Sequence, residues 1–185
     1  MQLEDGFGSG MRLQITADGM AAVQAVTIDS IHAASHNGTA FSVLREATSY
    51  TSAAGQSGVI YIKNTGTQDV HIDSLFFSLT AAARVKVIRN PTTGTLVTAG
   101  TVFSPVNLNF SSGNTFAGDC LLGTSGQTVT NGTTAISRRY PAGVYFGDLR
   151  SAITIERGGS IAITITPEAD CVADVSLWVY SVSVS

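Results

Sequence analysis

The feature that most constrains the fold is the way in which apolar residues are grouped. Apolar clusters are short, rich in β-branched and aromatic residues, and bounded by glycine, asparagine, aspartate or proline. This pattern is typical of strands separated by turns, and it predicts no helix. Strands are predicted at 40–44, 58–63, 69–79, 84–89, 99–110, 135–140, 143–147, 152–155, 160–166 and 172–184. Together they predict an all-β fold, a jelly-roll-like antiparallel β-sandwich.

Two segments near the carboxyl end show how the strands should face the core. In 160–166, isoleucine alternates with Ser, Ala and Thr, which predicts one buried face and one polar face. In 172–184 both faces are apolar, with Val175, Leu177 and Val179 on one side and Trp178 and Tyr180 on the other. We therefore expect part of the second face to be covered by another element or another chain.

The first 39 residues are predicted to form an amino-terminal arm and hairpin, preceding a sandwich domain at 40–185. Within 11–28, alternating apolar residues flank Asp18-Gly19, a pair that favours a tight turn between two strands. Residues 1–10 are rich in glycine, and Leu3 and Phe7 are their only large apolar anchors besides the initial methionine. We expect this arm to become ordered only against a partner.

The low charge of the chain argues against several classes of partner. Only 12% of its residues are charged, the formal net charge is -3, and Lys63 and Lys86 are the only lysines. A nucleic-acid-binding face needs clustered Lys and Arg, so we expect no nucleic acid partner. We also expect no membrane partner, because no apolar run approaches the roughly 18 residues that span a bilayer. We expect no export leader, because residues 1–8 contain neither a basic region nor an apolar one.

The sequence offers little catalytic or metal-binding chemistry, so we predict no enzyme, cofactor or metal. His32 and His36 have a metal-ligand spacing but no third ligand nearby, and no His-x-His pair is present. The weak enzymatic alternative is a polysaccharide hydrolase using the carboxylates of Asp119, Asp148 and Glu156. Cys120 and Cys171 lie 51 residues apart and are expected to be free and buried, with a disulfide left open as the minority alternative.

Four segments of this chain resemble a group of tailed-bacteriophage virion structural proteins. They are Val59-Ile60-Tyr61-Ile62-Lys63-Asn64-Thr65, Val85-Lys86-Val87-Ile88-Arg89-Asn90-Pro91-Thr92-Thr93-Gly94, Val106-Asn107-Leu108-Asn109-Phe110-Ser111-Ser112 and Gly158-Gly159-Ser160-Ile161-Ala162-Ile163-Thr164-Ile165-Thr166-Pro167. The resemblance covers about two thirds of the chain. It implies a jelly-roll decoration (cement) or fibre protein without a catalytic motif.

The predicted function is therefore decoration of a phage capsid. Such a protein would stabilise the head shell by binding the major capsid protein and neighbouring copies of itself, as a homotrimer within the virion assembled in the host cytoplasm. The candidate contact residues are Leu3, Phe7, Arg138, Arg139, Tyr140, Trp178 and Tyr180. The alternative is a head or tail fibre domain that binds host glycans through Tyr140, Tyr145, Trp178 and Tyr180.

Overall fold

The computed structural model describes residues 2–4, 12–15, 21–24 and 30–182, and the chain forms two compact units, Met1–Ala33 and Ala34–Ser185. The first contains strands β1 (Gln2–Glu4), β2 (Arg12–Ile15) and β3 (Ala21–Gln24). They form an antiparallel sheet in the order β1-β2-β3, in which Leu13 stands opposite Leu3 and Val23.

This small sheet bears on the predictions for the amino-terminal segment. The strands β2 and β3 pair as the hairpin pattern predicts, while the Asp18-Gly19 turn lies outside the described residues. The strand β1 pairs with β2 of the same chain. This part of the predicted arm therefore forms a strand pair without a second protein. Phe7 also lies outside the described residues.

The described residues include two short helices, so the prediction of no helix is wrong. They are α1 (Ser30–His36) and α2 (Thr95–Ala99), and a single 3-10 turn spans Ser52–Ala54. Each helix has at most two turns, which is too short to show a helical repeat of apolar residues. In α2 the buried residue is Leu96, which is fully enclosed by the fold.

The second unit contains eleven of the described strands. They are β4 (Ala40–Tyr50), β5 (Ser57–Asn64), β6 (Asp69–Leu79), β7 (Ala83–Arg89), β8 (Thr101–Val102), β9 (Val106–Asn107), β10 (Gly118–Leu122), β11 (Thr133–Tyr140), β12 (Gly143–Ile155), β13 (Ser160–Pro167) and β14 (Cys171–Val182). The strand β10 was not predicted, and β12 joins two predicted strands whose pairing with β6 is interrupted between Asp148 and Ile153.

These strands form two antiparallel sheets that pack face to face. One has six strands in the order β11-β7-β13-β5-β10-β8, and the other has five in the order β12-β6-β14-β4-β9. The eight long strands alternate between the two sheets along the chain, from β4 to β7 and again from β11 to β14. The all-β antiparallel sandwich predicted from the sequence is therefore confirmed.

The core lies between the two sheets and is built by the alternation of side chains along each strand. Ile62 and Ile163 of the six-stranded sheet and Ile72 and Leu177 of the five-stranded sheet belong to one buried cluster. Each is at most 1% exposed, and complete burial of such a side chain contributes about 1.5–3 kcal/mol. In 160–166 the isoleucine face lies in this core as expected, but the second face of β13 is buried as well, so the prediction of a half-buried strand is wrong.

Cys120 and Cys171 are free and buried in this core, as expected. Cys120 lies on β10 in one sheet and Cys171 on β14 in the other. Burial disfavours the thiolate and raises the pKa of Cys120 to about 12. Both side chains therefore act as small apolar core residues.

The segment predicted as a strand at 99–110 has a different structure. It contains the end of α2, the two-residue strands β8 and β9, and a turn. The side chain of Asn107 accepts a hydrogen bond from the backbone N–H of Asn109, and that of Asn109 accepts one from Ser111. These local bonds compete with strand pairing and explain why the apolar pattern misled the prediction.

Candidate interaction surface

Four large apolar side chains lie together on the outer side of the five-stranded sheet. Phe76 projects from β6, Val144 and Phe146 from β12, and Trp178 from β14. The ring centroids of Phe76 and Phe146 are 4.5 Å apart, and those of Phe76 and Trp178 are 5.1 Å apart. We call these four side chains the aromatic face.

The strand register explains why these residues come together. Phe76 stands opposite Phe146 on one side and Ser176 on the other, and Ser78 stands opposite Val144. Leu75 and Phe77, the neighbours of Phe76 in the chain, belong to the core, so Phe76 points outward.

The aromatic face is accessible to solvent on β12, at the edge of the sheet, and at Trp178, in the middle of the sheet. Val144 is 84% exposed, Phe146 60% and Trp178 37%, while Phe76 is half-buried beneath its two aromatic neighbours. Adjacent outward positions carry small hydroxyl side chains such as Ser42 and Ser176. Asp148, two residues after Phe146 in β12, also lies on this outer side, so the patch is bordered by both neutral and charged groups. A contiguous apolar patch with a polar rim is the usual character of a protein contact surface.

Besides Trp178, four predicted contact residues lie on β11 and β14, and they differ in their availability. Arg139 forms a paired hydrogen bond with Glu168, with Nε–Oε1 and Nη2–Oε2 distances of 2.5 and 2.7 Å. This bond lowers the pKa of Glu168, and both side chains are solvent-exposed. The guanidinium carbon of Arg138 lies 5.5 Å from the centroid of the Tyr140 ring. Both arginines thus stay on the surface but already have partners within the chain.

The two predicted contact tyrosines, Tyr140 and Tyr180, pack against other aromatic rings of the same chain. Tyr140 is half-buried, with ring centroids 4.7 Å from Phe77 and 4.8 Å from Tyr145. Tyr180 is only 3% exposed and stacks on His71 at 5.3 Å. Tyr180 therefore cannot serve as a surface contact in this fold, and the covering element expected for this part of β14 is supplied by the chain itself. Leu3 lies on β1.

A cleft of about 520 Å³ lies on the opposite side of the sandwich, over β5 and β10. Tyr61 and Leu121 stand opposite each other in its floor, and Lys63 stands opposite Asp119 at its rim. Phe103 and Phe116 are among the side chains that complete its walls. The cleft thus combines aromatic surface with one cation and one carboxylate.

The carboxylates considered for hydrolysis are not brought together. Asp119 lies on the outer side of the six-stranded sheet and Asp148 on the outer side of the five-stranded sheet, because their strand neighbours Cys120 and Leu149 pack in the core. Glu156 instead lies 3.6 Å from the guanidinium of Arg89. Within the described residues, no group of three or more His, Cys, Asp or Glu side chains is placed to bind a metal ion.

The sequence reasoning missed Phe76, Val144 and Phe146 as contact residues. Their strands were predicted, and the alternation in 69–79 already separates Phe76 from Leu75 and Phe77. What the sequence could not supply was the order of the strands, which places β12 beside β6 and β6 beside β14. Trp178, which was predicted, is the member of the aromatic face nearest the middle of the sheet.

Comparison with known proteins adds no identification. No protein-family model matches the chain. No curated protein matches it either. Among the described residues there is no helix with the length and apolar character needed to cross a membrane. The chain is therefore defined by its own features, an antiparallel β-sandwich with an exposed aromatic face on one sheet and a cleft on the other.

Proposed function

We propose that this chain is a non-enzymatic structural protein of a tailed-phage particle, and specifically a capsid decoration protein. It would act by contact, binding the major capsid protein and neighbouring copies on the head shell. The predicted homotrimer remains part of this proposal. Repetition over many lattice positions lets individually modest contacts reinforce a shell.

The strand order supports the jelly-roll part of the proposal. The order β12-β6-β14-β4 in one sheet is matched by β11-β7-β13-β5 in the other, and each strand is joined along the chain to its counterpart. Eight strands nested in this way have the order expected of two Greek keys, which supports a jelly roll. Many viral shell and lectin domains use this architecture, so it favours the proposed class without selecting a role within it.

The observation that carries the proposal is the aromatic face. Phe146 and Val144 leave most of their apolar surface in water, on a protein whose charged residues amount to only 12% of the chain. Apolar side chains held on a rigid sheet bind a partner with little loss of conformational entropy. A protein that works by contact requires this combination, whereas a catalyst requires convergent reactive groups.

The experiment is a binding assay with purified particles of the virus that encodes the chain, stripped of this protein. We expect Phe146→Ser to weaken particle binding by about 10- to 30-fold, the effect of losing one interface hot spot. Phe110→Ser is the matched control, because Phe110 is 90% exposed but lies in the turn after β9. Equal binding by the two variants would exclude the aromatic face as the particle contact.

The second candidate is a fibre domain that binds host glycans, and the cleft is the observation that favours it. Its volume suits a small ligand, and sugars commonly pack on aromatic side chains such as those of Phe103 and Phe116, which are half-buried in its walls. Of the tyrosines first considered for this role, Tyr180 is buried and Tyr140 and Tyr145 pack on Phe77. Saturable binding on a glycan array, lost on changing Lys63 to Ala, would favour the fibre.

A further inference from the structure

The edges of the two sheets differ in how well they are protected from pairing with another strand. A sheet edge carries unpaired N–H and C=O groups, and proteins usually protect it with short strands, bulges, charges or proline. The strands β8 and β9 have two residues each. The strand β11 has a register irregularity between Thr134 and Ile136 and carries Arg138 and Arg139. Three of the four edges of the described sandwich are therefore protected.

The fourth edge, the first half of β12, has none of these features. From Gly143 to Asp148 it pairs with β6 in a continuous register, and its other edge has no partner strand among the described residues. The residues 143–147 contain no charge and no proline, and they present Val144 and Phe146 of the aromatic face. The edge is also limited in length, because the pairing with β6 breaks after Asp148.

We infer that this edge pairs with the same edge of a second copy of the chain. The inference deepens the proposed function, because it names one partner of the aromatic face. Two antiparallel copies of 143–147 centred on Tyr145 would join the two five-stranded sheets into one sheet of ten strands. Such a contact is a closed two-fold interface, separate from the contacts of a trimer.

The side chains favour this register and this occupant. With Tyr145 opposite its own copy, Val144 of one chain stands opposite Phe146 of the other, on the outer side in both cases. Aromatic and β-branched side chains form favourable cross-strand pairs. Asp148 would stand opposite Ala142, so no like charges meet across the interface. The edge is therefore complementary to itself, which an arbitrary partner strand would not guarantee.

The size of the contact sets its expected strength. Five or six paired residues extend about 20 Å, at about 3.4 Å per residue. A contact of this length buries much less than the roughly 1,600 Å² of a standard interface, so we expect weak association through this edge in solution. On a particle surface, where copies are held at high local concentration, the same contact would be strengthened.

Disulfide cross-linking tests both the contact and its register. Val144→Cys and Phe146→Cys variants carrying different tags are mixed and oxidised gently, and we expect the cross-linked product to contain one of each. Either variant alone should cross-link no more than a Phe110→Cys control. The native Cys120 and Cys171 are 2% and 3% exposed, so they should not interfere.

The inference is overturned if the mixture cross-links no better than the control, or if each variant alone cross-links as well as the mixture. As a second measurement, Val144→Lys adds a charge to the edge and should lower the average mass measured by sedimentation equilibrium below that of the natural protein. Circular dichroism checks that this variant is folded. Because neither measurement uses particles, normal particle binding without cross-linking would remove this inference and leave the proposed function standing.

Discussion

At the residue scale, the polar groups buried in the sandwich show which details the fold depends on. Asn64 is fully buried at the end of β5, and its side-chain amide donates to the carbonyl oxygens of Gln68 and Ile155 at 2.8 and 2.9 Å. Its side-chain oxygen accepts a hydrogen bond from the N–H of Gly66. One residue thus holds the β5–β6 turn and joins it to the end of β12. Thr164, in contrast, is a buried polar residue whose hydroxyl makes no hydrogen bond among the described residues.

Replacing Thr164 with valine should stabilise the protein. Thr164 is fully buried, and its hydroxyl has no hydrogen-bond partner among the described residues. Removing an unsatisfied hydroxyl while keeping the shape of the side chain should raise the free energy of unfolding by about 1 kcal/mol. Urea denaturation measures the change. Thr164→Ser is the control, since it keeps the hydroxyl and loses a methyl group, and it should be less stable than the natural protein.

Asp174 should contribute stability that depends on pH. Its carboxylate accepts hydrogen bonds from the hydroxyl of Ser78 at 2.7 Å and the backbone N–H of Ala47 at 2.6 Å. The Ser78 bond first, and then the Ala47 bond, lower the pKa of Asp174 from its ordinary value of 3.8. Ala47 has a φ of +24°, in the region that residues other than glycine seldom adopt, so this bond holds a strained position in β4.

We expect Asp174→Ala to lower the free energy of unfolding by about 1–2 kcal/mol at pH 7. Because the pKa is lower in the folded state, the stabilisation is fully present above pH 3.8 and is lost as the pH falls through the folded pKa. The gap between the two proteins should therefore narrow as the pH falls below about 4. Denaturation curves between pH 3 and pH 7 measure it, and a gap that stays constant would contradict this role for the carboxylate.

At the scale of elements, the sequence predicted strands well where alternation is regular and poorly where local polar bonds intervene. The regions 69–79 and 160–166 correspond closely to β6 and β13. The strand β4 extends six residues beyond its predicted end, through the strained Ala47, and β10 was missed between two glycine-containing loops. In these places the pairing of distant strands determines the structure, and a local pattern does not contain it.

The candidate contact residues also show that a local pattern predicts some features and that only the pairing of strands reveals others. Trp178 was recognised from the composition of its own strand, but its neighbours Phe76 and Phe146 could be found only from the order of the sheet. Conversely, Tyr180 was expected on the surface and is covered by His71. Exposure is a property of the assembled sandwich, so it cannot be derived from the alternation within one strand.

At the scale of the whole molecule, the sandwich has an apolar core that stabilises the fold and an exposed apolar edge available for contacts. The interior is an apolar core between two sheets, and much of the outer surface of the sandwich carries neutral hydroxyl and amide groups. The aromatic face and the unprotected half of β12 interrupt this neutral surface at the same edge of the five-stranded sheet. A protein whose role is to be held between neighbours would have such an edge.

The number of copies per particle tests the proposed role most directly. Quantitative mass spectrometry of purified virus, with the major capsid protein as the internal standard, gives this number. A decoration protein covers the shell, so we expect hundreds of copies in each particle. A dozen copies or fewer would indicate a tail or vertex component, and absence from the particle would contradict a structural role in the virion.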